Sequence, residues 1–197
     1  MGEDIRGRSS TSMRLMSKLN LAAHGAALVS CTAGGVVLES VVLMGAASHH
    51  VANIGLYLLV NQENEEKMRI RSSEALFSVV QLIIWTCCLL LVMCVAAMGA
   101  HGMFHAEALD GGAIAGFAVP AALAAVTTCV LAWRGGDPGR TSRMADALLS
   151  GAPPVLALFV AFSRLSLDAG KLDALVGLVT VLMLIARTAI HLVRALD

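Results

Sequence analysis

Residues 143–162 read Arg-Met-Ala-Asp-Ala-Leu-Leu-Ser-Gly-Ala-Pro-Pro-Val-Leu-Ala-Leu-Phe-Val-Ala-Phe. The stretch opens on a cation, sets Asp146 between two alanines and then turns apolar, with two adjacent prolines in its middle. An acid one turn inside a bilayer-length apolar run is costly and is kept for a purpose. Pro153 and Pro154 cannot donate to the carbonyls of Leu149 and Ser150, so a helix here is expected to kink or break near the bilayer centre. In lipid those carbonyls need neighbours or a wet cavity. The stretch therefore reads as an irregular helix facing the inside of a bundle, and the rest of the chain has to supply that bundle.

Composition agrees. Of 197 residues, 57% are hydrophobic and only 14% are charged, well below the charged share of a soluble domain. Several apolar runs approach the roughly 20 residues that span a bilayer. The formal net charge is zero, so nothing global attracts nucleic acid. The aromatic belt is sparse, with Tyr57, Trp85 and Trp133 its members. Cys31, Cys87, Cys88, Cys94 and Cys129 all sit in apolar runs without a Cys-x-x-Cys pair. They read as small packing residues; a metal group of Cys87, Cys88 and Cys94 is the alternative. No nucleophile with its base, P-loop or dinucleotide fingerprint is present, so an enzyme is not expected.

Going outward from 143–162, six spans are predicted in an all-α, polytopic membrane protein: about 15–34, 36–60, 74–99, 113–133, 143–163 and 172–193. Residues 1–13, with Ser9-Ser10-Thr11-Ser12, are expected to be a disordered tail. The first span is weak, since Lys18, Asn20 and His24 lie in its opening turns, and it is set to end at Gly34-Gly35. Residues 61–73 are strongly polar, and 134–140 carry Gly-Gly-Asp-Pro-Gly, a turn signal. Placing the N-terminus, the 61–73 and 134–143 loops and the C-terminal end on one side puts twelve of the 14 basic residues there. They are Arg6, Arg8, Arg14, Lys18, Lys67, Arg69, Arg71, Arg134, Arg140, Arg143, Arg187 and Arg194, against Arg164 and Lys171. The excess marks the cytoplasmic face. Both termini are then cytoplasmic, in the inner membrane of a bacterium, and the number of spans is even.

Three local patterns carry a family resemblance. Ala145-Asp146-Ala147 resembles the Ala-Asp-Ala that opens the fifth helix of the cation diffusion facilitator (cation efflux) family. Arg71-Ser-Ser-Glu74 resembles its His-Gly-Lys/Arg-Ala-Glu before the third, with only Glu74 kept. Leu172-Asp173 resembles its Leu-Asp-Pro before the sixth, with Ala174 in place of proline. The resemblance covers most of 15–194 and implies a six-helix bundle of cation efflux type. It further implies a transporter of divalent metal ions (zinc, iron or manganese) working by proton antiport, with a divalent cation as cargo and membrane lipid around it. A homodimer, or a heterodimer with a related transporter, is implied as well. The family holds its metal on helices two and five, two residues on each, four apart. Those places read Ala46, His50, Leu149 and Pro153, so one ligand of four is kept. A member would also continue past Asp197 into a cytoplasmic metal-binding domain. The metal site is degenerate, and the alternative function is a transport-inactive relative acting as partner or scaffold for another membrane protein.

The candidate metal residues are His50 and Asp146 in the path, with His101 and His105 as an outer cluster. His50 has a bland reading as a helix–helix hydrogen bonder. His49 points about 100° away from it and cannot grip the same ion. Glu39, Ala46, His50 and Asn53 form one polar face at helical spacing. Asp146 reads equally as an acid favoured by the N-terminal dipole. His101 and His105 are four apart, which puts two imidazoles on one helix face; Glu107 and Asp110 follow them. A surface cluster at a helix end is the bland reading. His24 and His191 read as isolated structural residues, and a bis-histidine haem use of His24, His50 and His101 has no Cys-x-x-Cys-His to support it.

Overall fold

The computed structural model describes residues 3–66, 74–105, 109–134, 140–163 and 169–196. Six α-helices and no strand occur among them: α1 Glu3–Val37, α2 Val41–Glu66, α3 Glu74–Phe104, α4 Gly111–Arg134, α5 Arg140–Phe162 and α6 Ala169–Leu196. The helices follow the six expected segments in number and order. Four are long and apolar enough to cross a membrane, at Lys18–Val37, Thr86–Phe104, Gly111–Trp133 and Gly170–Ala189. A shorter apolar segment of α5 covers Ala147–Phe162. These four mark a candidate membrane protein. The apolar run of α2 is broken by Ser48, His49, His50 and Asn53, and it is not among them.

Several boundaries differ from the sequence reading. α2 continues to Glu66, into the 61–73 stretch read as a polar loop, and α3 continues to Phe104, past its expected end at 99. α1 begins at Glu3 and takes in most of the 1–13 stretch that was expected to be disordered. Extending a helix already anchored by packing costs little compared with starting one. α1 also runs through Gly34-Gly35 to Val37. Those glycines serve contact instead of chain reversal: a Cβ on Gly34 would strike Phe117 of α4, and one on Gly35 would strike Met44 of α2. The reversal comes at Leu38-Glu39-Ser40, where Leu38 N donates to Gly34 O at 2.9 Å. Glu39 there has φ 53°, a left-handed conformation that costs a non-glycine residue about 1 kcal/mol. Glu39 is exposed in this turn, so it does not belong to the polar face of α2.

The double proline does not interrupt α5, which continues from Arg140 to Phe162 with both prolines inside it. Pro153 and Pro154 are buried, and Gly151 just before them lies close to Ala125 of α4. Packing on both sides of the missing donors holds the helix together where propensity alone would end it.

α2 is the central element and contacts every other helix. On one side α1, α4 and α5 meet it through small residues: Ala27 and Cys31, Ala118, Ala121 and Ala124, and Ala157, around Leu43, Ala46 and Ala47. Small side chains let helix backbones approach closely, as association within a bilayer requires. On the other side α3 and α6 pack against α2 through Val95, Ala174 and Val181 around Val41, and through Cys88 and Leu184 around Ala52. The α2–α6 crossing is close. A Cβ on Gly177 would meet the side chain and backbone of Val41, and one on Gly45 would meet the hydroxyl of Thr180.

The start of α2 shows why α6 belongs beside it. α2 has no acid in its own first turn, so its first N–H groups need an acceptor. Ser40 serves as N-cap, its Oγ accepting from Leu43 N at 3.4 Å. Asp173 of α6 supplies the rest: Ser40 Oγ donates to Oδ1 at 2.7 Å, Val41 N to Oδ2 at 2.5 Å and Val42 N to Oδ1 at 3.4 Å. A carboxylate at a helix N-terminus is favoured by the dipole, and here it comes from 133 residues further along the chain.

Candidate functional site

Halfway along the bundle the polar residues of five helices meet around α2. His24 of α1 and His50 of α2 face each other, with Nδ1 atoms 2.9 Å apart and ring centroids 5.2 Å apart. His24 Nε2 lies 3.0 Å from Thr128 Oγ1 of α4, and Thr128 Oγ1 donates to Asn20 Oδ1 at 3.0 Å. On the other face of α2, His49 Nε2 lies 2.8 Å from the carbonyl of Thr180. One turn further on, Asn53 donates to Ser150 Oγ of α5 and accepts from Arg187 of α6, both at 2.5 Å. His24, His49, His50, Ser150, Thr180 and Arg187 are all buried.

The hydrogen bonds assign the tautomers. Thr128 has one hydroxyl hydrogen and two oxygen acceptors for it, Asn20 Oδ1 and the Ala124 carbonyl, each at 3.0 Å; with that hydrogen given to either, Thr128 accepts from His24 Nε2–H. In neutral His24 the Nδ1 is then a bare lone pair, and His50 Nδ1–H donates to it. His50 Nε2 is left as a second bare lone pair. His49 Nε2–H donates to the Thr180 carbonyl, which leaves His49 Nδ1 bare. These two atoms, His50 Nε2 and His49 Nδ1, are buried with no hydrogen-bond partner. A buried orphan acceptor is costly and calls for a donor or a cation.

Of the expected site residues, His50 lies at the centre of the network, half committed to His24 and half open. Its partner is a histidine read from the sequence as isolated, because nothing local announces a contact between residues 24 and 50. Asp146 lies in the first turns of α5, and its side chain is outside the described residues, as is that of His191. The other three family places do not hold ligands: Ala46 is wholly buried in the apolar core, Pro153 is buried and Leu149 is half-buried. His101 and His105 are exposed at the far end of α3, their rings stacked at 4.5 Å and 15°. Glu107 lies outside the described residues. Asp110 is occupied as the cap of α4, its Oδ1 accepting from Gly112 N at 2.9 Å.

Arg187 is a correction of another kind. Counted from the sequence as a cytoplasmic end residue, it is 4% exposed and turns inward to Asn53. Cys87 and Cys94 are exposed while Cys88 is buried, so no three-cysteine metal group forms. Among the described residues no three of His, Cys, Asp and Glu converge so as to hold a metal ion. The residues that sequence reading missed, His24, Thr128, Asp173 as a cap and Arg187, share one signal: each is a polar side chain within an apolar run long enough to cross a membrane.

Fold and site together define an all-helical bundle with four helices long enough to cross a membrane and a polar network at its core. No family model matches the chain, and no curated protein matches it.

Proposed function

We propose that the chain is a six-span, non-enzymatic membrane protein of cation efflux type that does not carry divalent metal on its own and acts as a partner or scaffold for another membrane protein. One observation carries this reading. At the bundle centre the bare donor atoms are His50 Nε2 and His49 Nδ1 on neighbouring residues, while the guanidinium of Arg187 shares the network through Asn53. Even an open zinc site uses three protein ligands. Two imidazoles on different faces of one helix, beside a fixed positive charge, make a poor exchange for the water shell of a divalent ion. The resemblance to the efflux family is one of scaffold, and scaffold does not carry activity.

The basic residues support an orientation with both termini cytoplasmic in a bacterial inner membrane. With Arg187 withdrawn into the core, the count is twelve less one, eleven, against two, and the bias remains decisive. Weak proton-coupled metal passage through His50 and Asp146 is the second reading, and the open Nε2 of His50 favours it.

Zinc uptake into vesicles containing the purified protein separates the two. The expected result is uptake no greater than in empty vesicles. Ala46→Asp, Leu149→His and Pro153→Asp introduced together are expected to raise zinc binding, if helices two and five align with the family. Zinc uptake by the unmodified protein that is lost in His50→Ala establishes the second reading. Uptake that survives His50→Ala puts the transport site elsewhere and overturns both.

A further inference from the structure

A cavity of about 330 Å³ opens at the end of the bundle where the α1–α2 turn, the last turn of α3 and the first turn of α6 meet. The basic-residue count assigns this end to the outside. Met98, His101 and His105 of α3 line it together with Glu39 of the turn and Asp173 of α6. Met98, His101 and His105 recur at spacings of three and four, so one face of α3 presents a thioether and two imidazoles to the same space. His105 N donates to His101 O at 2.9 Å, which keeps His105 in helical register just past the last helical residue. Both imidazoles are exposed. No lysine or arginine lines the cavity among the described residues.

The two carboxylates have different roles. Asp173 has its oxygens taken by Ser40 and the first N–H groups of α2, so it contributes charge and no ligand. Glu39 is exposed and is held in the turn by a left-handed backbone at φ 53°. Strain at a non-glycine residue beside a cavity is a common mark of a functional position.

We propose that this cavity is a copper site, with His101, His105 and Met98 as ligands and Glu39 as the adjacent carboxylate. The donor set selects the metal. Imidazole suits several transition metals, but a thioether is a soft ligand that favours Cu⁺, and magnesium and calcium need oxygen donors. The stacked imidazoles turn out of their stack to bind, which brings two nitrogens on one helix face to the ion with the sulfur a turn below. The site is separate from the central histidine network and does not rest on the function proposed above.

The test is a titration of the full chain in detergent with Cu⁺, kept reduced by ascorbate and read against a chromogenic copper chelator, with Zn²⁺ titrated in parallel. The unmodified protein is expected to take up one equivalent of Cu⁺. The double variant His101→Ala, His105→Ala is expected to weaken Cu⁺ binding by more than about tenfold. Met98→Leu, close in volume, is expected to weaken Cu⁺ by about tenfold and leave Zn²⁺ unchanged. Circular dichroism shows whether each variant keeps its helices, and both histidines are exposed, so folding is expected to be untouched. Stoichiometric Cu⁺ binding that is unchanged in the double histidine variant overturns the proposal, as does the absence of Cu⁺ binding.

Discussion

α2 and α3 lie side by side and obey opposite rules. Nine of the ten residues from Val41 to His50 are buried, and among them are Ser48, His49 and His50. Three of the fifteen from Thr86 to Ala100 are buried, and the exposed ones include Leu89, Leu90 and Met93. The more apolar helix is the more exposed one. That inverts the soluble pattern and follows from the surroundings: in a bilayer the outer face meets hydrocarbon, so apolar side chains gain little by turning inward. Polar side chains gain most from the interior, where each finds a partner. α2 can carry two histidines because the other five helices surround it.

The comparison is broken most directly by trimming one leucine on each helix and measuring unfolding in detergent. Leu43→Ala on α2, wholly buried, is expected to cost about 4 kcal/mol through the cavity it leaves. Leu90→Ala on α3, 57% exposed, is expected to cost under about 1 kcal/mol. Equal losses would mean that the face of α3 holding Leu90 is covered, by a second copy or another partner. Asp173→Ala comes next, at about 3 kcal/mol, because it strips acceptors from Ser40, Val41 and Val42 at the start of α2; Asp173→Asn is expected to recover part of the loss. If Asp173→Ala melts with the unmodified protein, α6 does not cap α2.

Gly177→Ala is expected to cost about 2 kcal/mol, since the added methyl meets Val41 and forces the α2–α6 crossing apart. A melting temperature unchanged from the unmodified protein would place that crossing wider than described. The smallest effect belongs to His24→Phe, at about 1 kcal/mol, for the hydrogen bonds to His50 and Thr128. Its more telling readout is nitrogen NMR of the imidazoles. The His50 Nδ1 proton should lose its protection when His24 is absent, and an unchanged signal would show that the two rings are not paired.

The six helices were legible in the sequence for a local reason. Four hold apolar runs long enough to cross a membrane, and polar or Gly- and Pro-rich stretches such as 61–73 and 134–140 mark where apolar runs end. Length and hydropathy are sums over neighbours, so no tertiary contact is needed to compute them. The same local reasoning erred where packing overrules propensity. Gly34-Gly35 resembles a chain break, yet lies inside α1 because Phe117 and Met44 need the space. Pro153-Pro154 resembles an interruption, yet α5 runs through it.

The candidate site was legible only in part. His50 stood out as a histidine in the middle of a span and at a family ligand place, and His101 with His105 stood out by spacing. What His50 touches did not. Its partner His24 is 26 residues away in sequence, Asn53 reaches Arg187 across 134, and Asp173 caps a helix that begins 132 residues earlier. By itself the sequence determined that the chain is a series of helices with long apolar runs, and where each but the first begins within a few residues. Only the tertiary structure decided which polar side chains pair and which lone pairs stay bare. It also decided that Arg187 faces inward, because a hydrogen bond between distant helices is set by how the helices cross and leaves no period in the sequence of either one.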